Sequence, residues 1–135
     1  MLADDLGNLD LRTRMANAAM MAGIALSQTR TSIAHQMSYP MTMHHGVPHG
    51  IACGFSLPMI MDWAIGHDAL CDEGLKGVFG DDLKAGVKRF ERFMDGLGVA
   101  RDPTAYGPSE TDWNAWLAAA VEGEKGKSFL GKVPV

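Results

Sequence analysis

The sequence predicts an all-α fold, and three observations carry that prediction. Along most of the 135 residues, apolar side chains recur at three- and four-residue spacing, the period of a helix with one buried face. No run alternates apolar and polar residues as a half-buried strand does, and no strand-helix-strand unit is recognisable. Neither GxGxxG nor GxxxxGK[ST] occurs, so the local marks of a nucleotide-binding α/β unit are missing. The length suits one domain with one core, here residues 1–135.

Taken in order, Leu11, Met15, Ala18, Ala19, Ala22 and Leu26 define a first helix, with Asp10 as its expected cap. A second helix is expected from Thr31 to about His44, kinked or ended early by Pro40, which removes a backbone donor. Gly46-Val47-Pro48 breaks the chain. From His49 to about Ile65 the residues are apolar on nearly all sides, which predicts a buried central helix kinked at Pro58. Glycine-rich Gly66 to Gly80 predicts only a short helical turn around Leu75 to Phe79.

Beyond Asp81-Asp82, whose charges suit a helix N-terminus, Leu83, Val87, Phe90, Met94 and Leu97 line one face of a regular helix. Lys84, Lys88, Arg89, Glu91 and Arg92 occupy its wet side, and Gly98 is expected to end it. A loop over 101–108 leads to Ser109, which with Asp112 resembles a capping arrangement for a last helix carrying Trp113, Trp116, Leu117 and Val121. Trp113 and Trp116 are expected to pack in the core or at an interface, and the tail from Gly123 to be loose.

Composition narrows the function. Apolar residues at 47% and charged residues at 21% describe a folded protein. A formal charge of −4 without a Lys/Arg-rich run leaves no electrostatic basis for binding nucleic acid or an anionic membrane. No stretch approaches the roughly 18 apolar residues of a membrane span, and the start has no basic-then-apolar leader, so a cytoplasmic protein is expected. Cys53 and Cys71 form no CxxC and are read as reduced thiols.

Four of the five histidines, His35, His44, His45 and His49, fall in one window, and any chemistry is expected there. Neutral imidazole ligates iron and zinc, and a histidine on one helix can meet another at the start of the next. Spacing alone is weak evidence for such a pair. His44 and His45 are adjacent, so on a helix they point about 100° apart and rarely serve one ion. His67 follows a glycine in a loop and is read as solvated. Met37, Met41 and Met43 near Cys53 raise the thought of a soft copper site, but methionine is a flexible filler of apolar cores and packing is the better reading.

The residues around the pair are more specific. Ala34-His35, followed by Gly46-Val47-Pro48-His49-Gly50 and Leu57-Pro58, resembles the C-terminal metal-site signature of the iron-containing (group III) alcohol dehydrogenases. Arg14 to Gly23 is similar to the family's helix just upstream of that signature. The likeness is carried from about Asp10 to Trp63, and beyond it only the helical pattern continues. It implies the family's dehydroquinate synthase-like helical domain and a divalent iron or zinc ion, held in the family by one aspartate and three histidines. The last two of those histidines match His35 and His49. Such an ion polarises the alcohol or aldehyde oxygen while hydride moves to or from NAD(P).

The resemblance also implies what this sequence does not contain. The family's aspartate and first histidine belong to an Asp-x-x-x-His element upstream of the segment matching Arg14, and its nucleotide-binding domain lies upstream as well. A metal half-site that does not bind NAD(P) alone, and no turnover alone, are therefore expected. Where some members carry a further, proton-relaying histidine one turn after the first ligand, this chain has Tyr39, a candidate catalytic hydroxyl whose ordinary pKa of about 10 suits it poorly to proton relay near neutrality. The Ser38-Tyr39-Pro40 variant resembles the branch that contains phosphonoacetaldehyde-type reductases. The expected partner is a separate nucleotide-binding half or, in a non-catalytic alternative, a second copy covering exposed apolar surface. A hydrolase using Asp62 or Asp68 with the histidines is a third, less favoured reading.

Overall fold

The structure, a computed structural model, describes residues 2–134. Among them it contains seven α-helices, three short 3-10 turns and no strand. The chain forms two compact units, residues 1–31 and 32–135. The all-α expectation holds.

The first unit is a 3-10 turn followed by helix α1, Leu9–Gln28. Its cap is Asn8, whose side chain accepts from Leu11 N–H; Asp10, the expected cap, instead pairs with Arg14 one turn on at 3.0 Å. The displacement is local: Asn and Asp cap equally well, and the earlier residue adds about half a turn of helix. No α1 residue is buried, and Met15, Met20, Met21, Ile24 and Leu26 are exposed.

The second unit begins with α2, Ile33–His45, and α3, His49–Gly54. Pro40 neither ends α2 nor shortens it. Loss of one backbone bond is offset by burial on either side, where Met37 and Met41 are almost completely inaccessible. The expected central helix over 49–65 is two helices, since α4 spans Leu57–Ala64 and the chain bends at Phe55-Ser56. Pro58 lies in the first turn of α4, where its missing N–H is no loss, so it starts a helix rather than kinking one.

Helix α5, Ala69–Phe79, is far longer than the single turn expected around Leu75. Asp68 caps it through Cys71 N–H at 2.8 Å, and the Asp72 carboxylate reaches back to Gly66 N–H at 3.0 Å. These two bonds offset the propensity cost of Gly74 and Gly77, which misled the sequence reading. Helix α6, Leu83–Gly96, is capped by Asp82 on Ala85 N–H, and Gly98 follows it in a left-handed conformation. A Cβ on Gly86 would lie 2.7 Å from Phe79 Cβ, so only glycine allows α5 and α6 to approach this closely.

A 3-10 turn at Pro103–Tyr106 leads to α7, Glu110–Glu122, which opens with the expected Ser109/Asp112 capping box. The tail is not loose. It forms a 3-10 turn at Gly126–Ser128, packs Phe129 and Val133 on the core, and donates Lys132 N–H to Trp63 O at 3.0 Å.

Two apolar clusters hold this unit together. The larger joins Ile33, Met37, Met41, Val47, Ala52, Phe55, Ile60, Trp113 and Ala120, and so ties α2, α3, α4 and α7 to one another. Phe55 sits at its middle, 5.3 Å from Tyr106 and 5.5 Å from Trp113 between ring centroids; burying such a ring contributes about 1.5–3 kcal/mol. The smaller cluster packs Met61 of α4 against Leu83 and Val87 of α6, with Phe79 and Phe90 beside them. Trp113 is buried and Trp116 half-buried against the core, as expected. Met37 and Met41 fill the core, whereas Met43 is exposed, so the three do not assemble a thioether site.

Candidate metal centre

Helices α2 and α3 pack directly on each other, and the turn between them decides what their side chains can do. Gly46 closes α2 in the left-handed region, at φ 66° and ψ 16°, where a side chain costs energy. Its N–H donates to Thr42 O and that of Val47 to Met41 O, which turns the chain back at once. Val47 is buried and pins the turn to the core. Pro48 then presents its carbonyl to Ile51 and Ala52 N–H, both at 2.9 Å, so α3 begins at His49.

The result is that His35, in the first turn of α2, and His49, at the start of α3, face each other. Their rings stand at 83° with centroids 5.0 Å apart. His35 is half-buried and His49 exposed. Burial holds the His35 imidazole below the ordinary histidine value, and the Lys125 ammonium and the His49 ring push it further down. Its lone pair is thus kept available for a metal near neutrality.

One turn along α3 from His49 lies Cys53, and its thiol approaches both rings. Sγ is 3.3 Å from His35 Nδ1, 3.5 Å from His49 Nε2 and 3.9 Å from His49 Nδ1. One donor atom from each of His35, His49 and Cys53 lies within 4.8 Å of the others, and among the described residues no other group of three or more His, Cys, Asp or Glu side chains converges in this way. Two nitrogen donors and a sulfur suit a divalent transition metal, so the residues present fit such an ion.

Tyr39 borders the same place. Its ring lies edge-on to His35 at 5.1 Å and nearly parallel to His49 at 6.5 Å. Its hydroxyl accepts from Lys125 Nζ at 3.0 Å, and the same ammonium is 4.7 Å from the ring centroid. All five residues of this neighbourhood belong to the second unit.

Other sequence candidates have other occupations. His44 is exposed, and His45 is half-buried with its ring 5.7 Å from that of Trp116. His67 is exposed in the turn before α5. Asp62 pairs with Lys84 at 2.7 Å and Asp68 caps α5, so neither joins the histidines. Sequence reasoning weighed Cys53 only beside the methionines and not with the histidines, and it missed Lys125. His-x-x-x-Cys puts both side chains on one helical face, a signal that was present once α3 was known to start at His49. Lys125 carried no such signal.

A model of the C-terminal region of the Fe-containing alcohol dehydrogenase family matches residues 1–128. The chain belongs to this family. The match runs well past Trp63, where recognisable signature residues stop. Among curated relatives, a phosphonoacetaldehyde reductase of Streptomyces viridochromogenes is 28% identical over 131 residues, covering 87% of this chain and 32% of the relative. A probable alcohol dehydrogenase, EutG, of Escherichia coli is 25% identical over 122 residues, covering 85% and 30%. The chain therefore spans about a third of the length of these relatives. No solved structure matches it. In this family member, no helix among the described residues is long and apolar enough to cross a membrane.

Proposed function

We propose that the chain is the metal-binding helical half of an NAD(P)-dependent alcohol dehydrogenase, with His35 and His49 as ligands of a divalent iron or zinc ion. The observation that carries this reading is the convergence of the two imidazoles from separate helices, in the segment that bears the family's signature. When bound, the ion supplies Lewis-acid polarisation of the alcohol or aldehyde oxygen. Each histidine offers a ring nitrogen from a fixed backbone, His35 from α2 and His49 from the Gly46 turn. The core beneath them holds α2 and α3 in register, because Met37, Met41 and Ala52 are buried side by side.

Tyr39 is the candidate catalytic hydroxyl. Because its oxygen accepts from Lys125, its own O–H is left to donate toward a substrate oxygen beside the histidines. Lys125 thus orients the phenol. Its ammonium also places a positive charge at the rim of the site, suited to an aldehyde carrying an anionic group such as the phosphonate named for one relative.

The nicotinamide cofactor belongs, in this proposal, to a nucleotide-binding half, and the chain shows no turnover without it. Mixing the chain with such a half and following NAD(P)H-dependent reduction of short aldehydes tests the assignment. Reduction by the mixture, absent from either component and from the mixture carrying His35→Ala/His49→Ala, is expected. Equal rates with the double variant contradict it. Self-association is the alternative role, favoured by the exposed Met15, Met20, Met21, Ile24 and Leu26 of α1; a chain that stays monomeric at all concentrations excludes it.

A further inference from the structure

We infer that Cys53 is a third protein ligand of this site, so that the chain binds its metal through two imidazoles and one thiolate and prefers zinc to iron(II). The inference rests on the reading of His35 and His49 as ligands and goes beyond it by adding a sulfur donor from this chain.

Three observations support the thiolate. His49 and Cys53 are i and i+4 on α3, so they lie on one face and move together. A tetrahedral zinc ion with bonds of about 2.3 Å to sulfur and about 2.0–2.1 Å to nitrogen separates those donors by about 3.6 Å. The Sγ distances to His35 Nδ1 and His49 Nε2 are 3.3 and 3.5 Å, close to those edges. Cys53 is also half-buried, which shields the sulfur while leaving the exposed His49 side open to an entering ion.

The selectivity follows from donor softness. A thiolate favours zinc over iron(II) beyond the preference that the divalent series already shows. Binding forms one metal–sulfur bond and releases the thiol proton to solvent, with no change of oxidation state. Cys71 takes no part. It lies in the first turn of α5, where burial, Asp68 and Asp72 all push its thiol up.

Cobalt(II) titration of the full chain in a Cys71→Ser background tests this, because thiolate ligation gives a near-ultraviolet charge-transfer band that imidazole ligation does not. The band is expected at one equivalent, and expected to vanish in Cys53→Ser while weaker visible bands remain. Zinc affinity, measured by competition, should fall at least about tenfold in Cys53→Ser and recover partly, without the band, in Cys53→Asp. Circular dichroism establishes that each variant is folded. Cobalt bound without the band, with Cys53→Ser matching the parent, overturns the thiolate and leaves the histidine pair standing. Absence of any bound cobalt or zinc overturns both. A band that persists at full affinity in His35→Ala/His49→Ala shows a thiol site independent of the imidazoles and overturns the shared one.

Discussion

Lys125 donates to the Tyr39 hydroxyl at 3.0 Å, so a residue of the C-terminal tail reaches the histidine pair from across the second unit. The Ser32 hydroxyl, 3.5 Å from Lys125 O, ties the same tail residue to the start of α2. Lys125→Met keeps the aliphatic length and removes the ammonium. If the Lys125 ammonium attracts anionic substrate, the reconstituted enzyme should show a raised KM for an aldehyde bearing an anionic group and an unchanged KM for a neutral one. Equal effects on both would contradict a role for its charge in substrate attraction.

The Gly46 turn is the second point at which the site is exposed to a single change. An added Cβ there meets nothing within 4 Å, so Gly46→Ala is opposed only by its φ of 66°, a cost of about 1–2 kcal/mol. Thermal melts should show that loss, and metal affinity should fall with it, because the turn sets where His49 stands. Gly46→Asn, which tolerates the left-handed region better, should lie between the two.

Ser109 and Asp112 cap α7 reciprocally: Ser109 Oγ accepts from Asp112 N–H at 3.1 Å and donates to the Asp112 carboxylate at 2.6 Å. Ser109→Ala should cost about 1 kcal/mol in chemical denaturation. Hydrogen bonds from the Ser109 hydroxyl and backbone, and then the nearby His45, hold the Asp112 carboxyl below the ordinary range. A carboxyl depressed by folding stabilises the protein above its unfolded pKa of about 3.9, and that stabilisation is lost as pH falls through the lower folded value. Asp112→Asn should therefore flatten the acid limb of a stability–pH curve and leave its neutral limb parallel to the parent.

Ser56 offers a gain of stability. Its hydroxyl is buried at the bend between α3 and α4 and has no hydrogen-bond partner. Ser56→Ala removes that desolvation cost and should stabilise the fold by about 1 kcal/mol. An unchanged or lowered melting temperature would mean the hydroxyl has a partner in solution.

The sequence made the helices legible where periodicity and caps agreed, as in α6 with Asp82 and α7 with Ser109 and Asp112. It failed where one cue opposed another. Gly74 and Gly77 concealed α5, because the Asp68 cap and the Asp72 bond to Gly66 depend on how the preceding turn folds. Pro58 was read as a kink in one helix, though the same residue serves equally well at the start of a new one, and only packing of Phe55 and Ser56 distinguishes the two. His35 and His49 were legible through their flanking residues. Cys53 was not, since its partnership with His35 exists only after the Gly46 turn brings α3 against α2, and Lys125 depends on the fold of a tail with no periodicity at all.

The central claim is that His35 and His49 jointly hold a metal ion, and calorimetric titration of the metal-stripped chain with zinc and, anaerobically, with iron(II) tests it most directly. One equivalent bound by the wild type, with affinity reduced at least about a hundredfold in His35→Ala/His49→Ala and the fold retained, is the predicted result. Binding of equal strength in wild type and double variant would contradict it.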